Sequence, residues 1–453
     1  MTGIGGGRHR VLVFRCRMQR IVSSSVVVLG AAFLLAIGPP LAACSNSDVV
    51  GTASDAGAAV AFDAATLDAP PPDGGGPKSV PKPTFPEVQS RGGAVVATPK
   101  VVAIVFAGDP LASQITEFTS KIGASTFWNG LAQEYGVGAM TALDTIVVDE
   151  PAPTQVRPAA IESWLSGKLS GATPAFGAPD GSTLYAVYYP ATTTVTTDRL
   201  SSELGGKCQG YVGYHAELNV GGTQVGYAVL PRCSDIDELT VAASHEYFEW
   251  ATNPFPDTKP AYGKIDDAHW AWQAAFVADL GELCTYVDPG YVRPADLGFR
   301  VQTMWSNAAS LAGKFPCAPR IGTAYVQGIP TAEDVAIVPS TLPNVPDITT
   351  KAIRVTAGQS RAVNVLVYSD QPRAEPIQLR AITFNEFIAG MRDEHDAMGY
   401  RYTVEPSVAK VGDIVSLRID APTATKYDLL VVVAQTSDST TYWPALVVND
   451  EAR

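Results

Sequence analysis

His245, Glu246 and Glu249 fall within one short run, His245-Glu246-Tyr247-Phe248-Glu249, whose residue types and spacing suit metal chemistry. Residues four apart share a helical face, so the His245 imidazole and the Glu249 carboxylate converge on one point. Glu246 lies about a third of a turn round, where it can activate a metal-bound water instead of ligating the metal. The run departs from the zinc-hydrolase pattern H-E-x-x-H at its last position, where Glu replaces the second His.

A catalytic zinc takes three protein ligands and leaves a fourth position open, so a third donor is required. Glu282 and Asp279 come first, beside Cys284, whose disulfide would hold their loop in place. His215, on a strand expected ahead of the helix, is a ligand or a donor to the transition state. His269, in Asp266-Asp267-Ala268-His269-Trp270, reads as a loop histidine. One imidazole and two carboxylates would neutralise a divalent ion and soften its Lewis acidity. Zn²⁺ is the expected metal, with Mn²⁺ and Ca²⁺ as competitors for the hard oxygen ligands.

A helix must carry the motif. Ser234 or Asp235 can cap it, Asp237 and Glu238 favour its positive end, and Leu239, Val241, Ala242 and Phe248 supply apolar faces. Asn253-Pro254 ends it, because a residue before proline is pushed out of helical geometry. Ahead of it, strands at Val101–Phe106, Thr145–Val148 and Thr183–Tyr189 alternate with helices at Leu111–Ile122, Trp128–Tyr135 and Ile161–Leu169. Tyr211–Val220 and Val225–Leu230 then form a hairpin around Gly221-Gly222. This order predicts an α/β or α+β domain over 91–320, with the motif helix packed on its sheet. It is the order of the zincin-like peptidase folds.

Beyond about Ile321 the pattern changes to eight short strand-like runs split by Gly, Pro and Asp, with a helical insert near Phe387–Met398. That predicts an all-β immunoglobulin-like sandwich over 321–453, suited to attachment through cell-surface glycan or protein. His395 reads as an exposed helix residue.

The start of the chain predicts export. Five arginines precede an apolar run from Val26 to Ile37, and no acid appears before Asp48. A basic stub, a short apolar core and small residues at the cut describe a secretory signal. Leu41-Ala42-Ala43-Cys44 resembles the lipobox of bacterial lipoproteins, which implies cleavage after residue 43, a lipid on Cys44 and membrane anchoring. Residues 44–90, rich in Ala, Asp, Pro and Gly, then read as a tether without enough apolar surface to fold. Removing the leader takes net charge from −13 to −18 by loss of five arginines. With no basic stripe, nucleic acid is excluded as a partner. Cys208, Cys233, Cys284 and Cys317 remain, an even number in an oxidising compartment. Three connectivities are open, and Cys208–Cys233 with Cys284–Cys317 is favoured.

Ser244-His245-Glu246-Tyr247-Phe248-Glu249-Trp250-Ala251-Thr252-Asn253-Pro254 resembles the S-H-E-x-x-E-x-x-T-[DN]-P core of secreted bacterial proteins related in pattern to the plant Exordium-like, phosphate-induced extracellular proteins. Cys208–His215 resembles their C-x-Y-H segment. Asp279–Cys284 resembles E-[IL]-x-D-x-C with the two acids exchanged, and Val301–Asn307 resembles V-Q-x-x-W-S-N. The resemblance implies a metallopeptidase-like extracellular domain. Two readings follow: a lipid-anchored metal-dependent peptidase, or a non-catalytic cell-surface binding lipoprotein. Neither a G-x-S-x-G elbow nor a phosphate loop offers a competing chemistry.

Overall fold

The computed structural model describes residues 83–196, 213–287, 290–319, 322, 324–339, 347–389 and 399–450. The leader, Cys44, Cys208 and His395 lie outside these residues. Among the described residues no helix is long and apolar enough to cross a membrane.

The chain is packed before the expected end of the tether. Phe85 is buried against the rings of Tyr368 and Trp443, and strand β1 (Val88–Ser90) pairs with residues 262–265. Residues 85–90 carry two apolar anchors, Phe85 and Val88, which composition averaged over the tether conceals.

The N-terminal domain is a mixed sheet with helices on both faces. Its strands are β2 (Lys100–Phe106), β3 (Thr141–Ala142), β4 (Ile146–Val148), β5 (Thr183–Tyr189), β6 (Tyr214–Val220) and β7 (Thr223–Pro231). The spatial order is β3-β2-β5-β7-β6, with β4 also on β2. All pairs are parallel except β6 on β7, so β6 is an antiparallel edge strand. Both faces are apolar, as a covered parallel sheet requires. Val101, Ala103 and Val105 face one core; Val102, Ile104 and Phe106 face the other. Helices α1 (Ala112–Ile122) and α2 (Thr126–Leu131) cover the first face, α3 (Pro158–Leu169) the second.

Helix α4 (Ile236–Thr252) lies on the first face and is buried at every position from Leu239 to Thr252. The Asp235 carboxylate accepts from the Glu238 amide at its start, and Asn253 ends it. Its sheet side is seated by Trp250, whose indole lies where a side chain on Gly226 of β7 would stand. The Tyr247 hydroxyl meets that of Tyr188 at 2.6 Å. The chain continues through α5 (Trp270–Phe276), α6 (Glu282–Thr285) and a short strand, β8 (Val301–Gln302), beside α4.

The C-terminal domain is a β-sandwich. Residues 326–330, 360–369, 414–420 and 401–405 form a four-stranded sheet. The six-stranded partner is ordered 334–338, 348–355, 440–449, 427–435, 377–383, 408–409. Strands at Arg401–Glu405 and Val408–Ala409 were not expected: the first is short and mostly polar, the second only two residues long. The helical insert begins earlier than expected, at Phe384. The two expected cores are continuous: Trp272 of α5 stacks edge-on against Trp305 and Trp443 at centroid distances of 5.7 and 5.3 Å.

Candidate metal centre

One face of α4 presents His245, Glu246 and Glu249, each at most 3 % exposed. Burying a carboxylate is costly unless a positive group or a set of donors compensates, so three such side chains inside a core demand partners. The partners come from three other segments.

His245 Nε2 lies 3.1 Å from Glu249 Oε2 and 3.4 Å from Glu282 Oε1. Glu282 opens α6 and its side chain is 17 % exposed, so the cluster reaches the surface there. His215, the second residue of β6, places Nδ1 3.0 Å from Glu246 Oε2 and 3.7 Å from Glu249 Oε2. Two groups of three donors therefore converge, His245–Glu249–Glu282 and His215–Glu246–Glu249, with Glu249 common to both.

The first group fits a divalent cation. Ligands at about 2.1 Å in tetrahedral array stand about 3.4 Å apart, close to the spacings of His245 from its two carboxylates. Glu282 Oε2 is buried with no hydrogen-bond partner, so no side chain compensates that oxygen. The other Glu249 oxygen, Oε1, accepts from the Gly281 amide at 2.9 Å, leaving Oε2 to face the histidine.

Without a cation, protons must take its place. Burial alone would lower the His245 pKa, yet the Glu249 and Glu282 carboxylates hold it well above its ordinary value. Burial and the Glu282 charge push Glu249 well above the usual carboxylate range. Glu282 resists its own burial: His245 and the hydrogen bond from Glu249 draw it down to about 2. His215 is likewise raised, its burial outweighed by the bond to Glu246 and that carboxylate's charge. The site calls for positive charge.

Asp279 does not join either group. Its Oδ1 accepts from the Asn253 side chain at 3.4 Å, and burial with the Glu282 charge raises it to about 6. Asp279 and Glu282 lie three apart, and only Glu282, on the first turn of α6, swings under α4. His269 is a structural residue: its ring bridges Asp266 at 2.8 Å and the Thr84 carbonyl at 3.1 Å. The Cys284–Cys317 bridge is present, with Cα atoms 5.6 Å apart, tying α6 to the strand that follows Trp305. Cys233 is disulfide-bonded, and Cys208, its expected partner, lies outside the described residues.

Three residues with no part in the expected ligand set support the site. Gln302 accepts from the His245 ring, Gly281 packs directly under it, and Asn253 links the end of α4 to Asp279. Gln302 and Asn253 are neutral amides within stretches already singled out by motif. Gly281 lies between the two candidate acids, and a glycine there is the one signal of close backbone approach.

No family model and no curated protein matches the chain. Among solved structures, domains 4 and 5 of the S-layer protein SbsC align with 26 % of this chain and 53 % of that one, at 11 % identity and a TM-score of 0.15. The titin M3 domain aligns with 22 % of this chain and 88 % of its own, at 15 % identity and a TM-score of 0.15. The chain thus spans about half the length of the S-layer fragment, and these likenesses say nothing of the metal centre.

Proposed function

We propose that this chain is an exported, lipid-anchored, metal-dependent hydrolase that cleaves peptide bonds. The observation that carries the reading is the convergence of His245 Nε2 on Glu249 and Glu282 at 3.1 and 3.4 Å, with a third carboxylate, Glu246, close by. His245, Glu249 and Glu282 would hold the cation, Zn²⁺ first, with Mn²⁺ or Ca²⁺ as competitors. A bound divalent ion supplies a Lewis acid and lowers the pKa of water.

The protein's own part is proton transfer and charge placement. Glu246 accepts a proton from the attacking water and passes it to the leaving amine. Its bond to His215 aligns the carboxylate, and the charged His215 ring is placed to stabilise negative charge on the carbonyl oxygen. The mixed sheet ahead of the ligand helix supports a zincin-like domain, and the sandwich, read as immunoglobulin-like, supports attachment to surface glycan or protein.

Elemental analysis of protein purified without chelator, paired with Glu246→Gln, tests this. About one equivalent of divalent metal is expected, retained in Glu246→Gln while hydrolysis of a peptide library is lost. Retained hydrolysis in that variant overturns the mechanism. A metal-loaded protein inert to every peptide would instead be a binding module.

A further inference from the structure

We infer that Gln302 is a positioning residue: it fixes which ring nitrogen of His245 faces the cation and fastens the Glu282 loop to the His245 helix. For its functional consequence this rests on the metal-site reading above.

Gln302 is buried, 4 % exposed, on β8 beside α4. Its backbone amide donates to Ser244 Oγ at 3.0 Å, which sets the register of the strand against the residue preceding His245. Its side-chain Nε2 donates to the Gly281 carbonyl at 2.7 Å and to Thr285 Oγ1 at 3.3 Å. Both amide protons are thereby engaged on the loop and helix that carry Glu282. The orientation of the amide follows, because the reverse would set its oxygen against the Gly281 oxygen.

That leaves Oε1 facing His245 Nδ1 at 3.1 Å. A carbonyl oxygen only accepts, so Nδ1 carries the proton. In a neutral imidazole the lone pair then belongs to Nε2, the atom turned toward Glu249 and Glu282. One amide with three partners thus selects the metal-binding tautomer and clamps the two ligand-bearing segments together. Partners that orient a ligating histidine in this way are commonly worth a factor of 10–100 in metal affinity.

The test compares the full chain with Gln302→Leu and Gln302→Glu. Zinc affinity is read by competition titration, and the His245 ring N–H by ¹⁵N-edited NMR on histidine-labelled protein. Wild type should show a hydrogen-bonded, slowly exchanging Nδ1–H. Gln302→Leu should lose it and bind zinc about 10–100-fold more weakly. Gln302→Glu keeps an acceptor for Nδ1–H but sets a carboxylate against the Gly281 carbonyl, so the resonance should persist while affinity falls. Undiminished affinity and a protected Nδ1–H in a folded Gln302→Leu would overturn the inference. If that variant does not fold, loss of the resonance in Gln302→Glu overturns it instead. A wild type that binds no divalent metal defeats the hydrolase reading, while the ring N–H still decides the role of Gln302.

Discussion

The Gly281 amide donates to Glu249 Oε1 at 2.9 Å while its α-carbon passes directly beneath the His245 ring. A methyl on Gly281 would stand 2.5 Å from His245 Cε1 and 2.7 Å from Glu249 Oε1. Neither neighbour can yield, because both are buried on a helix locked against the sheet by Trp250 and Tyr247. Gly281→Ala should therefore destabilise the protein by about 1–3 kcal/mol. It should also weaken zinc binding at least tenfold. Denaturant unfolding and metal titration measure the two effects, and a variant of normal stability and affinity would contradict the packing described.

The metal-free protein should lose stability as pH rises through the mildly acidic and neutral range. Asp279, raised to about 6, holds its proton in the folded state over a range where the unfolded chain has released it. Glu249, His245 and His215 are raised in the same sense. The folded state then binds more protons than the unfolded one, so the slope of stability against pH is negative from about 4 upward. Glu282, drawn down to about 2, acts oppositely, but its contribution is complete above its unfolded value. A divalent cation replaces the protons and should flatten the slope. Thermal melts of chelated and zinc-loaded protein between pH 4 and 8 check this; a rising apo curve would refute it.

His215 approaches Glu246 from β6, a different element from the proposed ligands, so its loss should separate binding from chemistry. His215→Ala is expected to keep about one equivalent of metal while lowering kcat about 10²–10³-fold, as removal of one oxyanion donor does. Loss of metal in step with activity would make His215 a ligand instead.

Much of this arrangement is legible in the sequence, for reasons that differ between elements. The bounds of α4 follow from local chemistry, an Asp cap at one end and Asn-Pro at the other, and the run Thr183–Tyr189 coincides with β5 because a strand buried on both faces carries large apolar and aromatic residues without alternation. His245 and Glu249 meet because four residues make one helical turn. Glu282 joins them through the fold of the chain, and nothing local distinguishes it from Asp279 three positions earlier. Gln302 falls in a stretch singled out by motif, yet its role is not legible there: a neutral amide does no chemistry of its own, and its importance arises only when β8 is laid beside Ser244. The early end of the tether was hidden by a stretch whose few apolar residues dock on the far domain, against Tyr368 and Trp443.

Val277 turns the chain from α5 into the loop bearing Asp279, Gly281 and Glu282, with φ of 66° and ψ of 166°. That region is sterically open to glycine and strained for a β-branched residue, at a cost of order 1–3 kcal/mol. The residues that follow, Ala278 and Leu280, are buried at 1 % exposure and hold the turn in place. Val277→Gly removes the strain, while the added freedom of the unfolded chain takes back up to about 1 kcal/mol. The expected result is a net gain of about 1 kcal/mol in unfolding free energy, with a several-fold weaker metal affinity as the loop slackens. A variant that is both less stable and unchanged in metal binding would show that the backbone at Val277 is relaxed and that the ligand loop is positioned without it.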